Sequence, residues 1–555
     1  MHLGKINTSL IICLFLSYAS CAQPLHKPGK LTHQDTLRGS IGPGRDWWDV
    51  QHYSISVTPD YNSKTIQGKV TIQFKWLKPS TTDGYMQIDL QEPMLLDAVE
   101  YKKSKLSFTR DGNVYMIKWP NKDHSQVEEI ALRYHGKPRE AKNPPWDGGW
   151  IWAKDAKGRP WMTVACQGLG ASVWYPCKDH QSDEPDNGAT LSITVPDTLT
   201  AVGNGRLKQK TENKNNTATW TWEVKSAINN YNIIPYIGSY THLSDNYIGE
   251  TEKNLSIDYW VLDYNADKAK KQFDRDVKRM LTAFEYWFGP YPFYEDGYKL
   301  VESSHLGMEH QSAIAYGNHY MDGYMGMDLS GSGWGKKWDY IIIHESGHEW
   351  FANNITTNDI ADMWIHEGFT MYSEPLFIEY YYGKKAADAY VQGIRRNIAN
   401  DKPLIGPYGV NKEGSGDMYN KGANLLHTIR QIINNDTLFR NILRGLNKDF
   451  YHKTVNSKDV ENYFSKKSGK DLSGIFDQYL RTTNIPVLEY KLEGDKISYR
   501  WTNCNTGFDM PVRLSESDEW LYPTTEWKNQ AATADIVSNG LSVDKNFYIK
   551  VKKVE

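Results

Sequence analysis

The sequence has few cysteines, no block of positive charge and no long hydrophobic run. Its 555 residues include only five cysteines, which are too few for a fold held together by disulfides. Beyond the first 25 residues only Cys166, Cys177 and Cys504 remain, and the sequence does not show whether the first two pair. The formal net charge is -3 and no cluster of Lys and Arg stands out, so no nucleic-acid partner is expected.

The first residues have the pattern of a secretory signal peptide. Lys5 precedes an apolar run over 10–16, and small residues follow it. This run is much shorter than the roughly 18 apolar residues of a membrane-spanning helix, and no later segment reaches that length. We therefore expect residues 1–22 to be removed by cleavage after Ala22, giving an exported protein, periplasmic or extracellular, without a transmembrane span. A lipidated N-terminal Cys21 stays open as the alternative.

The periodicity of apolar residues divides the rest of the chain into three domains. A chain of this length exceeds the size at which one hydrophobic core stops growing, so the sequence predicts a multidomain α+β protein. Alternation with a period of two predicts an all-β domain over 45–245, after a linker over 23–44. A period near 3.6 predicts a mixed, mainly helical domain over 246–482, and short alternating runs predict a small β domain over 483–555.

Several helices can be placed within the second domain. Phe273 and Val277 lie on one helical face, and Gly289 with Pro290 is expected to end that helix. Further helices are predicted over 339–352, 364–381, 421–434 and 471–480. We expect Asp339 to cap the first of these, since a carboxylate at that position accepts hydrogen bonds from the free amides of the first turn.

The strongest chemical signal is the segment His344-Glu345-Ser346-Gly347-His348. Two histidines four residues apart on a helix project from one face, as two ligands of a single metal must. Glu345, next to the first histidine, is placed to act as general base toward a metal-activated water. Because this short motif also occurs by chance, a third ligand is needed to identify it as a metal site.

Glu367 is the candidate for that third ligand. It lies in Trp364-Ile365-His366-Glu367-Gly368, which is predicted to be helical. The interval after His348 is long enough for a helix end, a turn and a second helix that returns to the metal. Two histidines and one carboxylate with an open position are a recurrent zinc arrangement. The sequence therefore predicts one zinc ion bound by His344, His348 and Glu367.

Three further motifs accompany these two in a fixed order. They are Gln167 ahead of Tyr175-Pro176-Cys177-Lys178-Asp179, then Gly307-Met308-Glu309-His310, and finally Tyr419-Asn420-Lys421-Gly422-Ala423. Together with the two zinc motifs they resemble the aminopeptidase N and leukotriene A4 hydrolase family of gluzincin metallopeptidases, the M1 type, over residues 45 to about 480. The resemblance implies a saddle-like N-terminal β domain and a thermolysin-like catalytic domain.

The resemblance also implies an activity and the roles of individual residues. It implies an aminopeptidase that uses one zinc ion to hydrolyse peptides with a free N-terminus. Glu309 would bind the α-amine, with Gln167 as a neutral acceptor for the same group and with Gly307 and Met308 on the same substrate-binding strand. Tyr419 would stabilise the oxyanion of the tetrahedral intermediate. Glu345 would act as general base and then as acid toward the leaving amine.

The chain departs from the family pattern at three positions. His310 stands in place of the usual Asn, Leu306 in place of the first Gly, and His366 in place of the Asn before the third ligand. His310 and Leu306 are expected to border the first substrate pocket, which leaves the side-chain preference open. His366 adjoins Glu367 on a helix, so its side chain points about 100° away, and we interpret it as structural.

Two other functions stay open beside the aminopeptidase. The first is a zinc endopeptidase of the same fold, which would not select the free amine. The second is a non-catalytic extracellular peptide-binding protein, which the complete set of catalytic side chains disfavours. The glycine-rich segment over 322–335 is either a flexible lid or a simple connecting loop. The sequence predicts no oligomeric state.

Overall fold

The computed structural model describes residues 30–78, 84–120, 127–515 and 519–555. The predicted signal peptide and the alternative lipidation site at Cys21 lie outside the described residues. None of the helices within these ranges is long and apolar enough to cross a membrane. Cys166, Cys177 and Cys504 are free thiols, so the first two are not paired. Within the predicted linker, Thr32 caps a short helix, α1 (His33–Gly39), through a capping box with Asp35.

The N-terminal domain is built from strands with alternating buried residues. The strands are β1 (Trp48–Asp60), β2 (Thr65–Trp76), β3 (Tyr85–Asp89), β4 (Leu95–Tyr101), β5 (Ser104–Lys105), β6 (Phe108–Asp111), β7 (Val114–Lys118), β8 (Glu128–Gly136), β9 (Gly149–Lys154), β10 (Pro160–Ala165), β11 (Ala189–Pro196), β12 (Thr200–Val202), β13 (Arg206–Glu212), β14 (Thr217–Val224) and β15 (Tyr236–Gly238). They form an eight-stranded sheet in the order β13-β14-β11-β1-β2-β8-β4-β5, a four-stranded sheet β12-β15-β10-β9 and a three-stranded sheet β3-β7-β6. The buried faces of these sheets share one hydrophobic core.

The catalytic domain begins with a five-stranded sheet in the order β16-β17-β18-β20-β19. Its strands are β16 (Tyr240–Ile248), β17 (Asn254–Leu262), β18 (Tyr298–Glu302), β19 (Gly307–Met308) and β20 (Ile314–Tyr316). The helices are α2 (Ala266–Phe288), α3 (Tyr340–Gly347), α4 (Trp364–Tyr382), α5 (Lys384–Ile394), α6 (Asn420–Ile433), α7 (Asp436–Asp449), α8 (Ser457–Ser468) and α9 (Ser473–Arg481). A small parallel pair, β21 (Ile355–Thr357) and β22 (Lys453–Val455), completes the domain.

The structure confirms four of the five predicted helices of this domain, shortens the one predicted over 339–352 to α3, which ends at Gly347 before an irregular turn, and adds three helices to the domain. Gly289 ends α2, and the carboxylate of Asp339 accepts hydrogen bonds from Ile341 N and Ile342 N at the start of α3. The additional helices of this domain are α5, α7 and α8. Polar caps such as Asn435 and Asn456 start the last two. The fold class predicted from the sequence is therefore confirmed.

The C-terminal region, predicted as a small β domain, packs against the helices of the catalytic domain and shares their hydrophobic core. Its elements are β23 (Val487–Glu493), β24 (Lys496–Thr502), β25 (Val512–Arg513), β26 (Trp520–Leu521), β27 (Lys528–Ala531), α10 (Ala534–Asn539) and β28 (Lys550–Lys553). Polar contacts join it to the catalytic domain, among them Gln392 Nε2 to Asn546 Oδ1 at 2.8 Å and Tyr479 OH to Tyr548 O at 2.6 Å.

The contact between the first two domains positions one wall of the active site. Met308 on β19, with Ala313 and Ala315 near it, packs into the core of the N-terminal domain rather than into the helical core. The side-chain amide of Asn204 donates to Gln311 O at 2.7 Å and its oxygen accepts from Ile234 N at 2.9 Å. The edge strand β19 is therefore held between the two domains.

Candidate active site

The three predicted metal ligands meet between α3 and α4. His344 lies near the end of α3, and His348 keeps a helical conformation (φ -64°, ψ -20°) at its C-cap, so both rings project from one face. Glu367 lies in the first turn of α4. Its Oε2 is 3.3 Å from His348 Nε2 and 3.8 Å from His344 Nε2. The three side chains are buried, and one ligand atom from each lies within 4.8 Å of the others.

The remaining ring nitrogens are engaged in a way that suits a bound cation. His344 Nδ1 lies 2.7 Å from Glu374 Oε1, and His348 Nδ1 lies 3.1 Å from Phe351 O. Both Nε2 atoms are thereby directed toward Glu367, whose buried Oε2 has no hydrogen-bond partner among the described residues. Two oriented imidazoles and one carboxylate are a donor set typical of catalytic zinc. The residues present therefore fit a zinc ion.

An irregular turn after α3 produces the contact to His348. Ala352 has φ of 145°, a value that a residue with a Cβ adopts only when its surroundings enforce it. Thr356 Oγ1 donates to Ala352 O at 2.5 Å, and Asn353 N donates to His348 O at 3.0 Å. This turn directs the Phe351 carbonyl at the His348 ring.

Glu345 and Tyr419 line one small cavity with the three metal-binding residues. Burial raises the pKa of Glu345 to about 7, against the lowering effect of the two neighbouring imidazoles. A carboxylate with a pKa close to ambient pH is suited to general base catalysis. The Tyr419 ring lies beside the His344 ring, with 6.0 Å between centroids and 22° between planes. The structure thus brings the predicted base and the predicted oxyanion donor to the same place.

A second carboxylate, Glu309, also lines the cavity and is only 2% exposed. Gln167 Nε2 donates to Glu309 Oε1 at 2.5 Å and to Glu367 Oε1 at 3.3 Å. Tyr231 OH donates to the same Glu309 oxygen at 2.9 Å. Burial raises the pKa of Glu309, while His348 lowers it. Gln167 therefore bridges the predicted amine-binding carboxylate and a predicted metal ligand.

The predicted substrate-binding strand passes directly over α3. A Cβ on Gly307 would stand 2.8 Å from Glu345 Oε1 and 2.9 Å from Ile341 Cγ2, so a larger residue here would displace the general base or the Ile341 side chain. Met308 is buried beside it. β19 is the edge strand of its sheet, and its first residue, Gly307, lines the cavity.

The two histidines that depart from the family pattern lie outside the group of ligands. His310 Nδ1 is hydrogen-bonded to Tyr236 OH at 2.5 Å, and burial lowers its pKa well below the usual value. His366 Nε2 accepts from Thr357 N at 2.9 Å. The expectation that His366 has a structural role agrees with this contact.

Sequence reasoning missed several residues that contact the site. Glu374 follows Glu367 by seven residues on α4, which is two turns on the same face, so helical periodicity could have revealed it. Thr370, one turn after Glu367, could have been found in the same way, whereas Tyr231, Trp146 and Tyr324 have no comparable local signal. Thr370 Oγ1 lies 3.1 Å from His348 Nδ1, and Trp146 and Tyr324 line the cavity.

Comparison with known proteins gives relatives over most of the chain. Aminopeptidase 2, mitochondrial, of Saccharomyces cerevisiae is 21% identical over 91% of this chain and 52% of its own length. The puromycin-sensitive aminopeptidase of Caenorhabditis elegans is 20% identical over 98% of this chain and 58% of its own length. This chain therefore spans a little more than half the length of these curated relatives.

Solved structures share the fold. An M1 zinc metallopeptidase of Deinococcus radiodurans bound to a Tyr-Ser-Ala substrate superposes with a TM-score of 0.67 at 20% identity, covering 80% of this chain and 96% of that one. Yeast leukotriene A4 hydrolase superposes with a TM-score of 0.65 at 18% identity, covering 80% and 69%.

Two family models match consecutive parts of the chain. The peptidase M1 N-terminal domain matches residues 49–231, and the peptidase family M1 domain matches residues 272–479. Together they cover well over half of the sequence and include every residue of the site described above, from Trp146 to Tyr419. This chain belongs to peptidase family M1, a family of zinc metallopeptidases.

Proposed function

We propose that this protein is a zinc aminopeptidase that releases the N-terminal residue of peptides. The observation that carries the proposal is the buried Glu309 carboxylate, which Gln167 connects to the metal-binding group. A buried carboxylate is stabilised by a cation that contacts it directly, and the α-ammonium of a peptide is such a cation. A substrate held there must begin at Glu309, so that its first peptide bond lies beside Glu345.

His344, His348 and Glu367 would hold a single zinc ion. When bound, zinc supplies a Lewis acid that polarises the scissile carbonyl and lowers the pKa of water. Glu309, Glu345 and His348 also place ligand atoms within 4.8 Å of one another. Since His348 is common to both groups and its Nδ1 faces Phe351 O, both groups cannot be filled at once, which supports one ion.

The side chains of the protein account for the proton transfers. Glu345 accepts a proton from the attacking water and passes it to the amine that leaves. Tyr419 donates its phenolic hydrogen to the carbonyl oxygen as negative charge develops there. Glu309 and the side-chain oxygen of Gln167 hold the α-ammonium and fix the position of the bond.

The relatives of this chain support a peptide substrate, and the two alternative functions fit the site less well. The names of the curated relatives and the Tyr-Ser-Ala peptide in the Deinococcus radiodurans structure support a peptide. An endopeptidase would have to bury Glu309 against an uncharged chain, which costs desolvation of the carboxylate. A non-catalytic binding protein would not need Glu345 and Tyr419 beside the metal-binding group.

A direct test follows the release of alanine from Ala-Ala-Ala by mass spectrometry. We expect release by the wild type, loss of release after treatment with a chelator, and recovery when stoichiometric zinc is added. Internal cleavage of a longer peptide without release of the first residue would instead establish the endopeptidase. Binding of the peptide without any cleavage by the zinc-loaded protein would establish the binding protein.

We also propose that the protein is exported, on the basis of the leader pattern in its sequence. N-terminal sequencing of the secreted or periplasmic protein should begin after Ala22. A membrane-bound, acylated product that Cys21→Ala releases would establish lipidation instead.

A further inference from the structure

The structure points to a selection of the second residue of the substrate, which rests on the function proposed above. From Glu309 the chain runs back through Met308 and Gly307 to Leu306. Glu309 marks the α-amine, and the Cα of Gly307 faces the general base Glu345. In an extended chain each residue advances about 3.3 Å, so Leu306 lies beyond the scissile bond as seen from the amine. The part of the peptide that leaves therefore passes Leu306, which we had expected beside the first side chain.

Tyr324 and Ile341 complete an apolar wall with Leu306 on this leaving side. All three line the cavity that also contains His344 and Glu345. Ile341 lies one turn before His344 on α3, toward the start of the helix. Tyr324 packs edge to face on Tyr340, with 5.3 Å between ring centroids and 88° between planes.

The segment that carries Tyr324 is firmly anchored, which argues against the flexible lid. The fully buried Asn318 donates through Nδ2 to Met321 O at 2.8 Å and to Gly323 O at 2.9 Å. Its Oδ1 accepts from Met325 N at 2.8 Å. One side chain therefore holds the backbone on both sides of Tyr324 and also contacts the cap residue of α3, Asp339, at 2.8 Å.

The space enclosed by these walls is small. The whole cavity, which these walls share with Glu309 and the metal-binding group, has a volume of about 40 Å³, which is room for only a few waters at roughly 10–15 Å³ each. A large side chain at the second position would have to displace the anchored Tyr324. A charged side chain would lose its hydration against the apolar side chains of Leu306 and Ile341. We propose that Leu306 and Tyr324 restrict the second residue of the substrate to small, uncharged side chains.

The test compares tripeptides Ala-X-Ala in which only the second residue changes, with Ala, Leu, Phe or Lys at X. Release of the first alanine should have a kcat/KM at least about tenfold higher for X = Ala than for the other three, the scale on which a pocket discriminates by size. Leu306→Ala and Tyr324→Leu should bring the Leu and Phe peptides to within about threefold of Ala-Ala-Ala.

Met327→Ala is the matched control, because Met327 lies in the same turn but is exposed and does not line the cavity. It should leave the ratios unchanged, and the melting temperature of each variant establishes that it is folded. Equal wild-type rates for all four peptides would overturn this inference alone. So would unchanged ratios in both folded wall variants. Absence of release from every peptide, Ala-Ala-Ala included, would instead overturn the proposed aminopeptidase together with it.

Discussion

Two parts of the site are built in different ways: the metal end, which is the group of predicted zinc ligands, and the amine end, which is Glu309 with its partners Gln167 and Tyr231. The metal ligands lie on or next to two consecutive helices of one domain, namely His344 and His348 at the end of α3 and Glu367 on α4. Their spacing along the chain therefore brings them together. At the amine end, Gln167 and Tyr231 of the N-terminal domain reach Glu309, which is 142 and 78 residues away in sequence. We infer from this comparison that the hydrolytic step depends on the catalytic domain alone. The selection of the first peptide bond of the substrate depends on how the two domains pack.

The largest effect is expected at the metal end, from Glu345→Gln. Loss of the general base should lower kcat for Ala-Ala-Ala by about a hundredfold to ten-thousandfold. Zinc content, measured on the purified protein, should stay at the wild-type level because Glu345 is not one of the predicted ligands. A variant within tenfold of the wild type would remove Glu345 from the mechanism.

The matching change at the amine end is Glu309→Gln. Replacing a charged partner of the ammonium by a neutral amide should cost about 1.5–3 kcal/mol, which corresponds to a loss of roughly tenfold to more than a hundredfold in kcat/KM. Only peptides with a free amine should be affected, so discrimination against N-acetylated peptides should collapse. An equal loss on both kinds of peptide would place Glu309 at the chemical step instead.

Glu374→Gln tests a residue that contacts a predicted zinc ligand but is not itself one. The Glu374 carboxylate faces His344 Nδ1 at 2.7 Å and accepts from Tyr390 OH at 2.6 Å. Its neutralisation should weaken zinc affinity by about 10- to 100-fold, measured by competition with a chromogenic chelator. Activity should return at higher zinc concentration, which would not happen for Glu309→Gln. Unchanged zinc affinity would exclude this positioning role.

Tyr231→Phe should give the smallest change. It removes one hydrogen bond to Glu309 Oε1, worth about 0.5–1.5 kcal/mol, or roughly a two- to tenfold increase in KM for free peptides. The value of kcat and the zinc affinity should stay close to wild type. A fall in kcat with constant KM would show that Tyr231 acts on the reaction centre and not on the amine.

The difference between the metal end and the amine end also explains which site residues could be predicted from the sequence. The metal ligands follow from helical geometry, since residues four apart share a face, and Asp339 was recognisable as a helix cap. Glu374 could have been found by extending that periodicity from Glu367. The roles proposed for Gln167 and Glu309 came instead from the resemblance to a family, because no local rule connects residues so far apart.

Other parts of the structure had no signal of this kind. Tyr231 and Trp146 reach the site only because the two domains pack together, and a single aromatic residue in a β-rich segment does not indicate such a contact. The anchoring of Tyr324 depends on Asn318, whose side chain replaces several backbone hydrogen bonds in a glycine-rich turn. The helices α7 and α8 were missed, although their caps, Asn435 and Asn456, are of the expected type.

The most direct test of this account is the ratio of kcat/KM for Ala-Ala-Ala to that for N-acetyl-Ala-Ala-Ala with the zinc-loaded wild type. If the amine end determines where the chain is cut, the free peptide should be preferred by at least about tenfold, the lower end of the value of a charged hydrogen bond. A ratio near one, with both peptides cleaved at a measurable rate, would contradict the account and would make the protein an endopeptidase.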